Sequence, residues 1–194
     1  MAEEIRKNNK GPLFQKYLEE KNMTSAFERQ QSNDSTQKMI FMTAIPVGNH
    51  RLLGTIITDN TMFVITRFHL GYVNRKDGHY DAFMHYLAEV NARHALFKML
   101  VTEDGRVFID SCCPFLDESF DPFSVNVTFS LVVDFLQNNY EEVLKHLDRP
   151  GDAREGISLS VNSKILVGPG TYLDGREKIL PRRMSEKKGL GLEV

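Results

Sequence analysis

Between Gly78 and Cys113 a helical stretch runs straight into two apolar runs joined by Asp104-Gly105, and this pairing constrains the fold more than any other feature. Tyr80, Phe83, Met84, Leu87 and Val90 recur at steps of three and four, or nearly so, which predicts an amphipathic helix over residues 79–92. The runs Ala95–Glu103 and Arg106–Cys113 then flank Asp104-Gly105. Asp-Gly between apolar runs predicts a hairpin with a type I′ turn. That turn needs positive φ at both central residues, which Asp tolerates and Gly accepts freely.

The rest of the chain supplies further elements. Residues 1–11 read as a flexible start. Pro12 suits the first turn of a helix, and Leu13, Phe14, Tyr17 and Leu18 share a face, so a helix is expected over 12–22. Met23–Gln37 is polar and reads as loop, with continuation of the helix through Ala26 and Phe27 as the alternative. Met39–Ile45, Arg51–Thr58 and Met62–Tyr72 are apolar or β-branched runs separated by Asx/Gly turns, an antiparallel meander.

After Pro114 two periods compete. Val125, Val127, Phe129, Leu131 and Val133 alternate like a strand, whereas Phe129, Val132, Leu136, Tyr140, Val143 and Leu147 make a helical stripe. Asp121 before Pro122 is a helix-start signal, and a single helix is expected over 122–147. Ile157–Val167 has the makings of an added strand, Gly168-Pro-Gly170 is a turn, and Arg182–Gly191 reads as a solvated tail. The expected order is thus α-β-β-β-α-β-β-α, an α+β fold with an antiparallel sheet packed by helices over residues 12–148. An extension over 149–194 follows, partly disordered or adding a strand.

Composition narrows the class. The formal net charge is −2. Residues 149–194 hold nine Lys/Arg against six Asp/Glu, and the first 148 hold fifteen against twenty, so an acidic body carries a mildly basic extension. That balance does not call for nucleic acid or an anionic membrane. The polar start predicts no signal peptide, and no apolar run approaches the roughly 20 residues that span a bilayer, so a cytoplasmic location is expected.

Cys112 and Cys113 are the two cysteines and are adjacent. Their Cα atoms sit about 3.8 Å apart, short of the usual disulfide range of roughly 4.4–6.8 Å, so two free thiols are expected, facing opposite sides of a strand. A thiol nucleophile drawn from Cys112 or Cys113, His94 and Asp110 is the catalytic alternative. It needs a cation or a helix N-terminus to lower the thiol pKa, and the neighbours Asp110, Asp117, Glu118 and Asp121 work the other way. The six histidines form no H-E-x-x-H and no i, i+4 pair. Gly168-Pro-Gly170 lacks the glycine register of a phosphate-binding loop. No cofactor and no metal are expected. A nucleic-acid-linked regulator would use Arg176, Lys178, Arg182, Arg183, Lys187 and Lys188. No aromatic is interleaved among them to stack on bases.

What remains is apolar surface. Met39–Ile45 and Met62–Phe68 carry apolar residues at both parities, so both faces of those strands call for cover: helices on one side, and a partner or the chain's own extension on the other. Met42, Phe63, Ile65, Tyr86, Phe97 and Met99 are the candidate protein-contacting residues.

Leu13–Glu20, the run Phe83–Asn91 followed by Phe97-Lys-Met99 and Glu103-Asp-Gly105, and the closing stretch Asp121–Leu147 together resemble the YbjN family, over residues 12–148. The resemblance implies the α+β fold of type III secretion chaperones, often a homodimer, without enzymatic activity. It implies a chaperone-like or regulatory role in which protein clients are bound, partly by strand addition and partly in apolar grooves. The chain is less acidic than typical secretion chaperones, and its extension from residue 149 departs from the pattern.

Overall fold

Runs of β-branched and aromatic residues that alternate in polarity pair edge to edge, and runs with helical period then cover one face of the sheet they make. In the computed structural model, which describes residues 7–33 and 35–154, the helices are α1 (Lys10–Glu20), α2 (Tyr80–Arg93) and α3 (Pro122–Leu144). The strands are β1 (Glu28–Gln31), β2 (Met39–Val47), β3 (His50–Thr58), β4 (Phe63–Tyr72), β5 (Lys98–Val101), β6 (Arg106–Pro114) and β7 (Arg149–Pro150). All pairings are antiparallel, in the order β1-β2-β3-β4-β6-β5, and β7 joins the end of β4 that β3 leaves free.

The expected α+β architecture with an antiparallel sheet is therefore present, with two more strands than expected. β1 falls in the stretch read as a polar loop, after a 3-10 turn at Thr24–Ala26. Its sequence Glu-Arg-Gln-Gln has no apolar alternation because it is an edge strand that buries almost nothing. What holds it is backbone pairing with β2, Glu28 opposite Met42 and Gln31 opposite Met39.

All three helices pack on one face. Their buried residues meet those of the strands in one core that includes Phe14, Phe41, Ile56, Phe68, Ile109 and Leu136. Phe68 and Phe129 stack with ring centroids 4.7 Å apart at its centre. In α3 the helical period prevails over the strand period. Val125, Phe129, Val132, Leu136, Tyr140 and Val143 are buried, while Val127 and Leu131 are exposed. The Asp121 carboxylate accepts the Phe123 and Ser124 amides, the cap that the Asp-Pro pair announces.

The start of the chain is tied down earlier than Pro12. Asn8 and Lys10 are buried. The Asn8 amide donates to the Gln37 carbonyl and to Thr58 Oγ1, and its oxygen accepts the Gly11 amide. The Lys10 ammonium donates to the carbonyls of Asp59 and Thr61, which is how a fully buried lysine is tolerated in α1. Leu13, expected on the buried face, is exposed, because Lys10, Gly11, Phe14 and Leu18 form that face instead.

The hairpin is present but its turn differs from the expected type I′. The Gly105 amide donates to the Thr102 carbonyl at 3.0 Å, and Gly105 has φ +81° while Asp104 has no positive φ. This is a four-residue turn ending in a left-handed glycine, the bulged form of hairpin connection. A Cβ on Gly105 would lie 2.3 Å from the Val73 carbonyl oxygen, so glycine is required there.

One sheet edge is closed by a side chain. Asn91, near the end of α2, accepts the Met99 amide at 2.7 Å and donates to the Met99 carbonyl at 2.9 Å, as a neighbouring strand would. Lys98 donates to the Asn91 and His94 carbonyls, which caps the same helix end. Asn91→Ala leaves two backbone groups of β5 unpaired. It is expected to lower unfolding free energy by about 1–3 kcal/mol in chemical denaturation. It should also raise concentration-dependent association, read by light scattering.

At the other end of the core the Tyr140 hydroxyl donates to the Leu70 carbonyl at 2.6 Å, and burial pushes its phenol up to about 12. An unfolded tyrosine ionises near 10, so folding retains this proton more tightly. The resulting stability is complete below about pH 10 and is lost as pH rises toward 12. Tyr140→Phe is expected to abolish that alkaline slope in a pH series of unfolding midpoints, while costing about 1 kcal/mol at neutral pH.

Candidate functional site

The second face of the sheet carries no helix among the described residues. Strand alternation makes its membership follow from the core: if Phe41, Ile56, Val64 and Phe68 point to the helices, then Ile40, Met42, Ile57 and Ile65 point away. Ile40 lies opposite Ile57, and Ile57 opposite Ile65, so the three stack across β2, β3 and β4. With Met42 and half-buried Leu53 they form a separate apolar cluster.

Beside this cluster the same face turns cationic and aromatic. Arg67 and Asp110, opposite each other on β4 and β6, form a two-pronged ion pair, Nε to Oδ1 at 2.8 Å and Nη2 to Oδ2 at 2.6 Å. The Arg67 guanidinium also lies 5.0 Å from the centre of the Phe108 ring, and the His69 ring stands 5.1 Å from it. A register shift between His69 and Gly71 keeps Tyr72 beside His69, with ring centroids 5.0 Å apart, and Arg149 sits 4.0 Å over Tyr72. Gly71 permits this. Its φ is +151°, and a Cβ there would lie 2.2 Å from the Arg149 carbonyl oxygen, too close for β7 to pair.

The candidate contact residues fall into different places. Met42 and Ile65 lie in the helix-free cluster, and Phe63, half-buried at the start of β4, shares the parity of Ile65. Tyr86, read as standing off the helical stripe, packs against the helix-side core and stacks on His146 with centroids 4.0 Å apart. Burial and the charge of Glu142 push its phenol up. Phe97 and Met99 are corrected. They are 4% and 2% exposed within the helix-side core, because the pleat of β5 turns Met99 inward beside Ile109. Both belong to the helix-side core and not to the helix-free cluster of Met42 and Ile65. The cationic-aromatic half of the face went unread in the sequence. Its members are far apart in the chain, and only the pairing of β4 with β6 and β7 assembles them.

The thiol constellation is not assembled. His94 is held between Phe97, 4.7 Å away, and Phe135, 4.8 Å away. Asp110 is engaged by Arg67. The two thiols are free and face opposite sides: Cys113 lies 3.9 Å from Thr128 Oγ1 on α3, and Cys112 shares the helix-free face with Ile65. Desolvation by surrounding atoms, then Cys113, Asp110 and Asp59, push the Cys112 thiol up. Among the described residues no group of three or more His, Cys, Asp or Glu side chains is placed to hold a metal ion. No helix among them is long and apolar enough to cross a membrane.

Comparison with known proteins returns no match, whether against family models, curated proteins or solved structures.

Cys112 is expected to react as a poor thiolate. Its alkylation by iodoacetamide, followed by peptide mass spectrometry across pH, should reach half its limiting rate above the ordinary thiol pKa of about 8.5. A midpoint near neutrality would restore a nucleophilic role.

Proposed function

We propose that the chain is a non-catalytic protein-binding module, chaperone-like or regulatory, whose binding surface is the helix-free face of the sheet. The observation that carries this reading is the second apolar cluster of Ile40, Met42, Ile57 and Ile65, separate from the core that holds the fold together and itself buried, with half-buried Leu53, Phe63 and Phe108 on the same face as the parts a partner can touch. Hydrophobic side chains aligned in register across three strands, bordered by Arg67, Phe108 and Tyr72, suit an extended polypeptide. Side chains of such a segment would lie along the apolar rows, and its backbone groups would meet the arginine-aromatic border.

The likeness to YbjN proteins and type III secretion chaperones is part of this proposal; the helix-hairpin-helix run from α2 to α3, with Asn91 bonded to the following strand, supports it, and β1 and β7 depart from its element order. Homodimer formation belongs to that likeness and to this proposal. So does a site away from membranes and nucleic acid.

The test is capture of protein partners by the tagged full chain, nuclease-treated, beside the double variant Ile57→Thr, Ile65→Thr. These substitutions keep β-branched side chains in the strands and place hydroxyls on the proposed surface. One dominant stoichiometric partner, retained about tenfold more weakly by the variant at a temperature well below its own, lowered unfolding midpoint, is the expected outcome. Recovery of the bait alone, or equal retention by both proteins, would remove the reading.

A further inference from the structure

The first half of α3 is apolar on two sides. Val125, Phe129 and Val132 are buried against the sheet, while Phe123, Val127 and Leu131 stand in an i, i+4 row on the outer side, 59%, 37% and 52% exposed. Val127 and Leu131 are what lend this stretch its strand-like alternation, and the core makes no use of them. The row cannot roll inward. The Asp121 cap fixes the helix start, and Val125, Thr128 and Phe129 hold the same turns on their inner side.

Charge sets this face apart from the other outer helix faces. Pro122–Val133 contains no Asp, Glu, Lys or Arg. By contrast α1 and α2 carry the exposed pairs Lys16–Glu20 and Arg93–Glu89, and α3 itself turns acidic from Asp134 onward, with Glu141 and Glu142 exposed. Those faces are solvated. Missing charge beside an exposed aromatic ring marks the core of an interface.

The row is complementary to itself. Phe123 and Leu131 lie four residues either side of Val127. A two-fold axis through Val127 sets each Phe123 against the Leu131 of a second copy, a crossing of i±4 rows. The uncharged runs meet without like-charge repulsion, and exposed Ser124 and Ser130 leave room for the helices to approach. A charged segment of another protein would find no counter-charge in this run.

Area sets the strength of such a contact. The three row residues expose on the order of 250 Å² of apolar surface. Exposed Leu13 and Leu116 lie at the same end of the molecule, because α1 starts against the Asp59 and Thr61 carbonyls and β6 ends beside Phe63. They raise the apolar area to about 400 Å². Homodimer interfaces are about 65% apolar, so each copy would lose about 600 Å², under the roughly 800 Å² of a standard interface. Reversible pairing fits that size better than a permanent dimer.

We propose that the first half of α3 pairs with the same stretch of a second copy, antiparallel about Val127. The outer side of α3 and the helix-free face lie on opposite sides of the sheet, so the pair carries its two candidate binding faces outward, back to back. This pairing deepens the homodimer of the proposed function and rests on that part of it alone.

Sedimentation velocity of the full chain from about 1 to 200 µM tests it, with Val127→Glu and Val127→Lys measured alone and mixed. The unsubstituted chain should pass from monomer to dimer within this range. Each variant should dimerise at least about tenfold more weakly, because like charges face each other across the axis, and an equal mixture should recover most of the lost dimer. Misfolded variants would not rescue one another, so recovery on mixing separates lost contact from lost fold. A monomer at every concentration overturns the proposal. So does a dimer that ignores both substitutions, which gives dimerisation to another face, and so do variants that stay monomeric when mixed. Partner capture keeps the two readings apart. A partner held through Ile57 and Ile65 by a chain that stays monomeric sinks the α3 pairing alone. Recovery on mixing, without any captured partner, sinks the protein-binding function alone.

Discussion

The register of β4 is the constraint on which the rest of the structure depends. This strand pairs with β3, β6 and β7, and its two faces have opposite tasks. Val64, Phe68 and Leu70 anchor the helix-side core, whereas Ile65, Arg67 and His69 build the other surface. A slip of one residue would exchange the two sets, driving Arg67 and His69 into the core. The Arg67–Asp110 pair resists that slip. Both side chains are mostly buried, 13% and 15% exposed, so losing the partner would strand a charge in a poorly solvated place.

From that register follows the asymmetry of the molecule. Helices cover one face through a large continuous core, and the other carries a small apolar cluster beside a cationic-aromatic border. The sheet edges are treated unequally as well. β5 is closed by the Asn91 side chain, while β1 at the opposite edge is made of Glu, Arg and Gln. Polar or blocked edges discourage uncontrolled strand addition.

The Cys-His-Asp reading loses its support through placement. His94 is packed between aromatic rings and Asp110 is engaged by an arginine. Cys112 sits where desolvation and nearby acids disfavour the thiolate. These are assignments of chemistry to packing, made by partners distant in the chain, and no spacing of residues in the sequence carries them.

Local signals sufficed wherever a residue's role depends on its near neighbours. The helix beginning at Tyr80, the three strands from Met39 to Tyr72, the Asp121 cap and the opposite facing of Cys112 and Cys113 were all legible. β1 and β7 were not, because an edge strand and a two-residue strand are held by backbone pairing with distant partners rather than by side-chain pattern. The turn at Gly105 followed from the approach of Val73, which no dipeptide preference contains. The sequence by itself determined that two apolar parities run through β2 and β4, so that both faces of the sheet need cover, since side chains alternate whatever the fold. Only the tertiary structure decided which parity meets the helices, which buried Phe97 and Met99 and set Ile57 and Ile65 apart, because that choice depends on how the helices fill one side of the sheet.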